Sequence, residues 1–224
     1  MCYYVGIEDD IEAIQMRYGV TYYQPQYWDI KPPSPSKFVN GFSHPGMLMI
    51  TGKRPDLVTV AEWGLVPDWA KDVVAFRKQA NTLNAMVETI DEKPSYKNSV
   101  QNRCLVPVNS IFEYKWLDQK GKEKLLHRIQ LKDNKIFSLA GIYSKFQDPV
   151  TGAPVGSFSL VTTAANTLMA EIHNSKKRMP VILHPDEEAL WLAGENMENF
   201  KDRTEIDLIA EPTENYLRRL KEAG

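Results

Sequence analysis

The chain has 224 residues, 43% hydrophobic and 25% charged, with 27 basic residues against 29 acidic ones and a formal net charge of −2. Those proportions belong to a soluble globular protein and exclude a disordered or fibrous chain; no apolar run approaches the roughly 18–20 residues of a membrane-spanning helix. A protein that coats nucleic acid indiscriminately would be strongly basic, so any such contact here is expected from a local patch.

The first residues, MCYYVGIEDD, lack a basic stretch followed by an apolar core, so no secretory leader is expected. Cys2 and Cys104 are the only cysteines. They give neither a disulfide framework nor zinc-ligand spacing, and the expected compartment is a reducing cytoplasm. Acidic residues crowd at Glu8–Asp9–Asp10–Glu12 and from Asp186 to Glu222, while Lys53–Arg54, Arg77–Lys78 and Lys176–Lys177–Arg178 are basic clusters nearer the middle. Each cluster also reads as ordinary solvated surface.

In chain order, Ile11, Ile14 and Tyr18 share one face and predict a short helix over 10–18. The Pro-rich stretch Lys31–Lys37 reads as an extended loop, not a domain boundary. Met47–Thr51 and Leu57–Trp63 predict strands joined by a turn at Gly52–Pro55. The run CLVPVNSIFEYKW over 104–116 is apolar but broken by Pro107, which predicts an edge or a bulge. Lys124–Leu131, Ile136–Tyr143 and Ser157–Thr163 predict strands, with turns at Lys132–Asn134 and Asp148–Gly152. A helix is expected from Ala164 to Ile172, capped by Thr162 or Thr163 and stopped near Asn174; another from Asp186 to Ala193 ends at Gly194; a last one runs from Thr213 to Ala223. Many strands with helices at the start and end predict an α+β fold. The expected form is a single domain over 1–224 built on a bent or barrel-like antiparallel sheet with flanking helices.

Cys2 is the most informative residue. Removal of Met1 would leave an N-terminal cysteine, a 1,2-aminothiol that no other position can offer. Its α-amine has an ordinary pKa of roughly 7.7–8.0, so a useful fraction is neutral near pH 7. An amine attacks an aldehyde to give an imine, and the neighbouring thiol can then close a thiazolidine ring; alternatively, the thiol attacks a carbonyl as in N-terminal-nucleophile hydrolases. Taken alone, Cys2 also reads as a chance cysteine in a frayed terminus.

Glu113 sits in the apolar run Ser110–Trp116. Withdrawal from water would raise its pKa and suit it to proton transfer. An outward-facing strand carboxylate paired with Lys115 or Lys124 is the competing reading. His173 ends an amphipathic helix just before the basic loop Lys176–Arg178, where it could exchange a proton or simply complement the helix dipole. His44, His127 and His184 are weaker candidates. Asn84 is polar in a moderately apolar stretch, which ordinarily marks a turn or cap. Trp63 and Trp69 flank a Gly and a Pro; they read as core plus turn, or as aromatics that stack on bases.

Taken together, these stretches resemble one family. Met1–Cys2, Trp63-Gly-Leu-Val-Pro67 with Trp69, Asn84-Ala with Glu88–Thr89, Phe112-Glu113-Tyr114, and Ile172–His173 leading to Arg178-Met-Pro180 occur in the order seen in SRAP (SOS response-associated peptidase) proteins. The resemblance is strongest over 1–192, leaving a helical extension over 205–224. It implies an α+β domain with a positively charged DNA cleft, whose N-terminal cysteine forms a thiazolidine with an abasic site in single-stranded DNA. Cys2 would be the nucleophile, with Asn84, Glu113 and His173 as its catalytic neighbours. Trp63, Trp69, Lys176, Lys177 and Arg178 are the DNA contacts expected. No metal, organic cofactor, membrane or protein partner is implied, and the protein would join the nucleoid when bound to DNA. The family name also carries a peptidase role, autocatalytic removal of what precedes the cysteine. Cysteine peptidase and non-catalytic single-strand-binding module remain the competing functions. Two departures stand out: Tyr3–Tyr4 replace the usual Gly-Arg, and Met86 stands where Asn-Ala-Arg has its arginine. Both changes imply fewer phosphate contacts with the chemistry unchanged.

Overall fold

The computed structural model describes residues 2–25, 30, 34–133 and 135–214. In chain order these form β1 (Tyr4–Ile7), α1 (Ile11–Tyr18), β2 (Thr21–Tyr22), β3 (Ser36–Asn40), β4 (Gly46–Thr51), β5 (Arg54–Trp63), α2 (Val73–Gln79), β6 (Asn84–Met86) and β7 (Arg103–Val108). There follow β8 (Ser110–Trp116), β9 (Lys124–Leu131), β10 (Phe137–Gln147), β11 (Pro154–Ala164), α3 (Thr167–Ile172), β12 (Arg178–Pro180), β13 (Ile182–Leu183), α4 (Glu188–Leu192) and β14 (Leu208–Pro212).

The strands make two sheets. One has the order β14-β9-β8-β1-β3 and is antiparallel. The other runs β12-β11-β10-β7-β4-β5-β2, with β6 and β13 alongside. In the second sheet β11 also pairs with β5 in parallel, Phe158 against Trp63, which closes β5, β4, β7, β10 and β11 into a five-stranded barrel. The α+β class and barrel-like curvature hold. The closure differs from a purely antiparallel expectation, because a strand pattern specifies which residues are extended but not which distant strand they meet.

Both faces of the curled sheet are covered, which explains its continuous apolar runs. One apolar cluster joins Met47, Trp63, Val106 and Phe158 to Val5, Ile111 and Ile129 of the flanking sheet and to Met169 and Ile172 of α3. A second joins Leu48, Val60, Ile142 and Val161 to Ile14 of α1 and Trp191 of α4. Each such side chain, fully buried, contributes roughly 1.5–3 kcal/mol.

Local chemistry sets the element ends. Asp10 caps α1 by accepting from the Ala13 N–H at 2.9 Å, and Gly19, at φ +64°, ends it in the left-handed region. α3 is shorter than expected and starts later. Thr162 and Thr163 belong to β11, and Asn166 is the cap, accepting from the Met169 N–H at 3.0 Å. Pro107 pairs only with Ser138 of β10; the β4 ladder reaches β7 only at Leu105 and Cys104, so the missing N–H falls at a local edge. The expected C-terminal helix lies outside the described residues from 215 onward, as do residues 31–33 of the Pro-rich stretch. None of the described helices is long and apolar enough to cross a membrane.

Candidate active site

Cys2 lies just ahead of β1, separated from it by Tyr3, and is 0% exposed. Three elements converge on it. β6 runs parallel to β11, Asn84 opposite Leu160, and the Asn84 Nδ2 donates to the Cys2 carbonyl at 2.7 Å. The Asn84 carbonyl accepts from the Tyr96 hydroxyl at 2.9 Å, which fixes the strand itself. The Asn84 Oδ1 is buried and has no hydrogen-bond partner among the described residues, an acceptor left open beside the cysteine.

β8 supplies Glu113. The register Tyr4↔Phe112 and Val5↔Ile111 carries Glu113 to the start of β1. Alternation turns Ile111 into the apolar cluster and sends Glu113 the same way, while Tyr114 faces out. Glu113 is 6% exposed, and burial lifts its carboxyl from an ordinary 4.5 to about 7. Burial, and next the negative charge of Glu113, push the Cys2 thiol above the ordinary cysteine range. The thiol itself donates to the Tyr4 carbonyl at 3.6 Å.

α3 ends at His173, 7% exposed, and packs against β8. The neighbouring Asn174 clasps Trp116 of β8 at both backbone groups: its Oδ1 accepts from the Trp116 N–H at 3.0 Å and its Nδ2 donates to the carbonyl at 2.9 Å. The His173 Nδ1 lies 2.7 Å from the Arg178 carbonyl, closer than the 3.4 Å to the Arg178 N–H. A carbonyl only accepts, so Nδ1 carries the proton and Nε2 is the acceptor nitrogen of the ring. Burial lowers the imidazole pKa to about 4, so the ring is neutral at pH 7. Holding Nδ1 there requires a tight loop. Lys177 takes a left-handed φ of +50° and donates its N–H to the His173 carbonyl at 2.8 Å. A non-glycine residue in that region costs on the order of 1 kcal/mol.

The expected DNA contacts divide. Lys176 and Lys177 are exposed. Trp69 is 50% exposed, packs edge-on against Phe76 and donates to the Pro94 carbonyl at 3.3 Å. Trp63, by contrast, is 0% exposed, stacks on Phe158 and donates to the Leu83 carbonyl, so no face of its indole is open to a base. The Arg178 guanidinium is committed inside the protein: it binds Glu88 bidentately at 2.7 and 2.8 Å and the Thr162 carbonyl at 2.7 Å. His127, ranked low from sequence, lies opposite Glu113 in the β8–β9 ladder, its Nδ1 3.1 Å from the Leu125 carbonyl. The pairings of Glu88 and Tyr96 carried no sequence signal, since each depends on a partner distant along the chain. A cavity of about 460 Å³ lined by Thr51, Lys53, Tyr143 and Lys145, among others, opens elsewhere; none of Cys2, Asn84, Glu113 and His173 lines it.

Fold and site together define an α+β barrel protein in which Asn84 and Glu113 gather around a buried Cys2. A family model described as SOS response associated peptidase (SRAP) matches residues 1–220, and the chain belongs to that family. Among its relatives, the Abasic site processing protein YoqW of Bacillus subtilis is 42% identical over 135 residues, 60% of this chain and 56% of that protein. The Abasic site processing protein HMCES of Gallus gallus is 29% identical over 145 residues, 56% of this chain and 41% of that one. The chain thus spans about half the length of these curated relatives. A crystal structure of a protein from Bacteroides thetaiotaomicron superposes with a TM-score of 0.79 at 32% identity, covering 94% of this chain and 91% of that one. One from Bordetella bronchiseptica, at 20% identity and a TM-score of 0.77, is alike in fold.

Proposed function

We propose that this protein processes abasic sites in single-stranded DNA by covalent capture through Cys2, once Met1 is removed. The carrying observation is the placement of Cys2: its carbonyl is held by Asn84, the Glu113 carboxyl, of pKa about 7, acts on its thiol, and α3, which leads into the neutral imidazole of His173, packs on the strand that carries Glu113. The relatives named as abasic site processing proteins support the same substrate.

The chemistry follows from the groups in place. The abasic deoxyribose must open to expose a C1′ aldehyde, and the His173 Nε2 moves the proton between the C1′ hydroxyl and the ring oxygen. Glu113, half ionised near pH 7, takes a proton from the Cys2 ammonium. The freed amine attacks C1′ and gives a carbinolamine. Glu113 returns its proton to the departing hydroxyl, which leaves as water, and a protonated imine remains. The thiol sulfur then adds to C1′ and its proton passes to the Glu113 carboxylate, closing a neutral thiazolidine. The open Asn84 Oδ1 supplies an acceptor for the amine or a sugar hydroxyl. Thiol-first acyl transfer, the peptidase route, needs a thiolate, and burial disfavours that form at Cys2. Amine-first capture does not need it.

The test mixes the protein with abasic and intact oligonucleotides and reads a heat-stable mass shift. The shift is expected with the abasic strand alone. Cys2→Ala should give none, and Cys2→Ser only an imine that needs reduction to survive. A heat-stable adduct from Cys2→Ala would sink this reading.

A further inference from the structure

Cys2 and Glu113 are each followed by tyrosine, and those rings belong to a larger surface. Tyr4 stacks on Phe38 with centroids 4.9 Å apart and meets Tyr114 edge-on at 6.2 Å. Phe38 meets Phe112 edge-on at 5.1 Å, and Tyr3 lies against Phe42 at 4.7 Å. Phe38, Phe42 and Tyr114 are 43%, 51% and 37% exposed.

Phe42 is displayed by a built turn. Asn40 caps it by accepting from the Phe42 N–H at 3.0 Å, and the Gly41 N–H donates to the Tyr3 carbonyl at 2.9 Å. Gly41 is required there, because a Cβ would meet the ring of buried Trp63 at 2.9 Å. Trp63 therefore serves as the floor beneath the turn that presents Phe42.

We propose that Phe38, Phe42 and Tyr114, set by Tyr3 and Tyr4, form a stacking shelf for the unpaired bases next to the abasic nucleotide. The inference rests on the function proposed above and says how its substrate is gripped. The occupant follows from continuity and chemistry. Tyr3, the residue after Cys2, lies against Phe42 at the edge of the site, and Phe42 in turn meets Tyr4, from which Phe38 and Tyr114 continue the surface onto the outer face of the flanking sheet, so a strand with its reacting nucleotide at Cys2 brings the neighbouring bases to Phe42 first. Exposed, preset rings match the flat faces of bases and are indifferent to sequence, as single-strand binding requires.

The experiment uses the full chain with Cys2→Ala, so that binding is read without capture. Affinity is measured for a single strand of ordinary bases, for an equally long base-free strand of abasic analogue, and for duplex. The expected result is that Phe38→Ala and Phe42→Ala each weaken binding to the base-bearing strand about tenfold. Phe42→Trp should retain binding, and the base-free strand should be held weakly by parent and variants alike. Melting curves certify folding. Folded variants that bind the base-bearing strand like the parent, or that lose affinity equally for the base-free strand, would overturn the shelf. So would a concentration-dependent dimer that Phe38→Ala and Phe42→Ala abolish, which would assign these rings to a second copy. Wild-type crosslinking, run in parallel, tests the underlying function separately: capture intact with variants inert rejects the shelf alone.

Discussion

Glu113 and His173 are buried to almost the same degree, 6% and 7% exposed, yet their proton affinities move in opposite directions. Burial raises the carboxyl on β8 to about 7 and lowers the imidazole at the end of α3 to about 4. One cause suffices, because low dielectric disfavours whichever form is charged. The lesson is functional. At neutral pH the carboxyl is the group poised to gain and lose a proton, while the imidazole is a fixed neutral acceptor.

The most severe way to break this contrast is to give the protein two substrates. A small open aldehyde needs amine attack but no sugar-ring opening. Glu113→Gln should slow both substrates by about 100- to 10,000-fold. His173→Ala should slow capture of abasic DNA by a similar factor and leave the open aldehyde nearly untouched. The parent rate should rise through about pH 7 as Glu113 ionises, and that limb should vanish in Glu113→Gln. Equal slowing of both substrates by His173→Ala would remove its ring-opening role.

A smaller effect reads the same contrast in stability. The native Glu113 holds its proton up to about 7, whereas its ordinary pKa is 4.5, so its contribution is greatest below 4.5 and is lost as pH rises to 7. The native His173 refuses a proton down to about 4, against an ordinary 6.5, so its contribution is lost as pH falls through that window. Between 4.5 and 6.5 the two slopes oppose, each at most about 1.4 kcal/mol per pH unit. Denaturant titrations at several pH values should show Glu113→Gln losing stability on acidification below 6.5 relative to the parent. His173→Gln should lose it as pH rises from 4.5. Parallel curves for the three proteins would mean that neither shift exists.

Much of this was legible in the sequence, and the remainder has a physical pattern. The spacing of Ile11, Ile14 and Tyr18 gave α1, and Lys124–Leu131 coincides with β9, because periodicity is a local property. Cys2, Asn84, Glu113 and His173 were legible as residues in order. What lay beyond reach was partnership: the parallel closure of β11 on β5, Asn166 in place of Thr162 or Thr163 as cap, and the open Oδ1 of Asn84. Trp63 shows the same limit, since its neighbours in sequence fit an exposed ring and a buried one equally well.

Arg178 is where that limit has most consequence, and it carries the smallest of the expected effects. Sequence placed it with Lys176 and Lys177 on DNA. In the structure its guanidinium bridges Glu88 and the Thr162 carbonyl, while its own carbonyl receives the His173 Nδ1 proton. Burial, the largest single influence, would raise the Glu88 carboxyl; the hydrogen bond from Arg178, a backbone hydrogen bond and the charges of Arg178 and Lys201 together outweigh it and hold the group below its ordinary value. The pair joins the end of β6, which carries Asn84, to the start of β12, which orients His173. As a positioning pair, Glu88→Gln and Arg178→Ala should both slow capture of abasic DNA about tenfold, through the maximal rate and not the affinity. Both should spare the open aldehyde, a fainter copy of His173→Ala, and Arg178→Lys should recover part of the loss. A phosphate contact predicts the opposite pattern. Arg178→Ala would then weaken binding and flatten its salt dependence, while Glu88→Gln, removing a negative charge and freeing the arginine, would strengthen binding. The two substitutions therefore move together if the arginine serves the imidazole and apart if it serves the DNA.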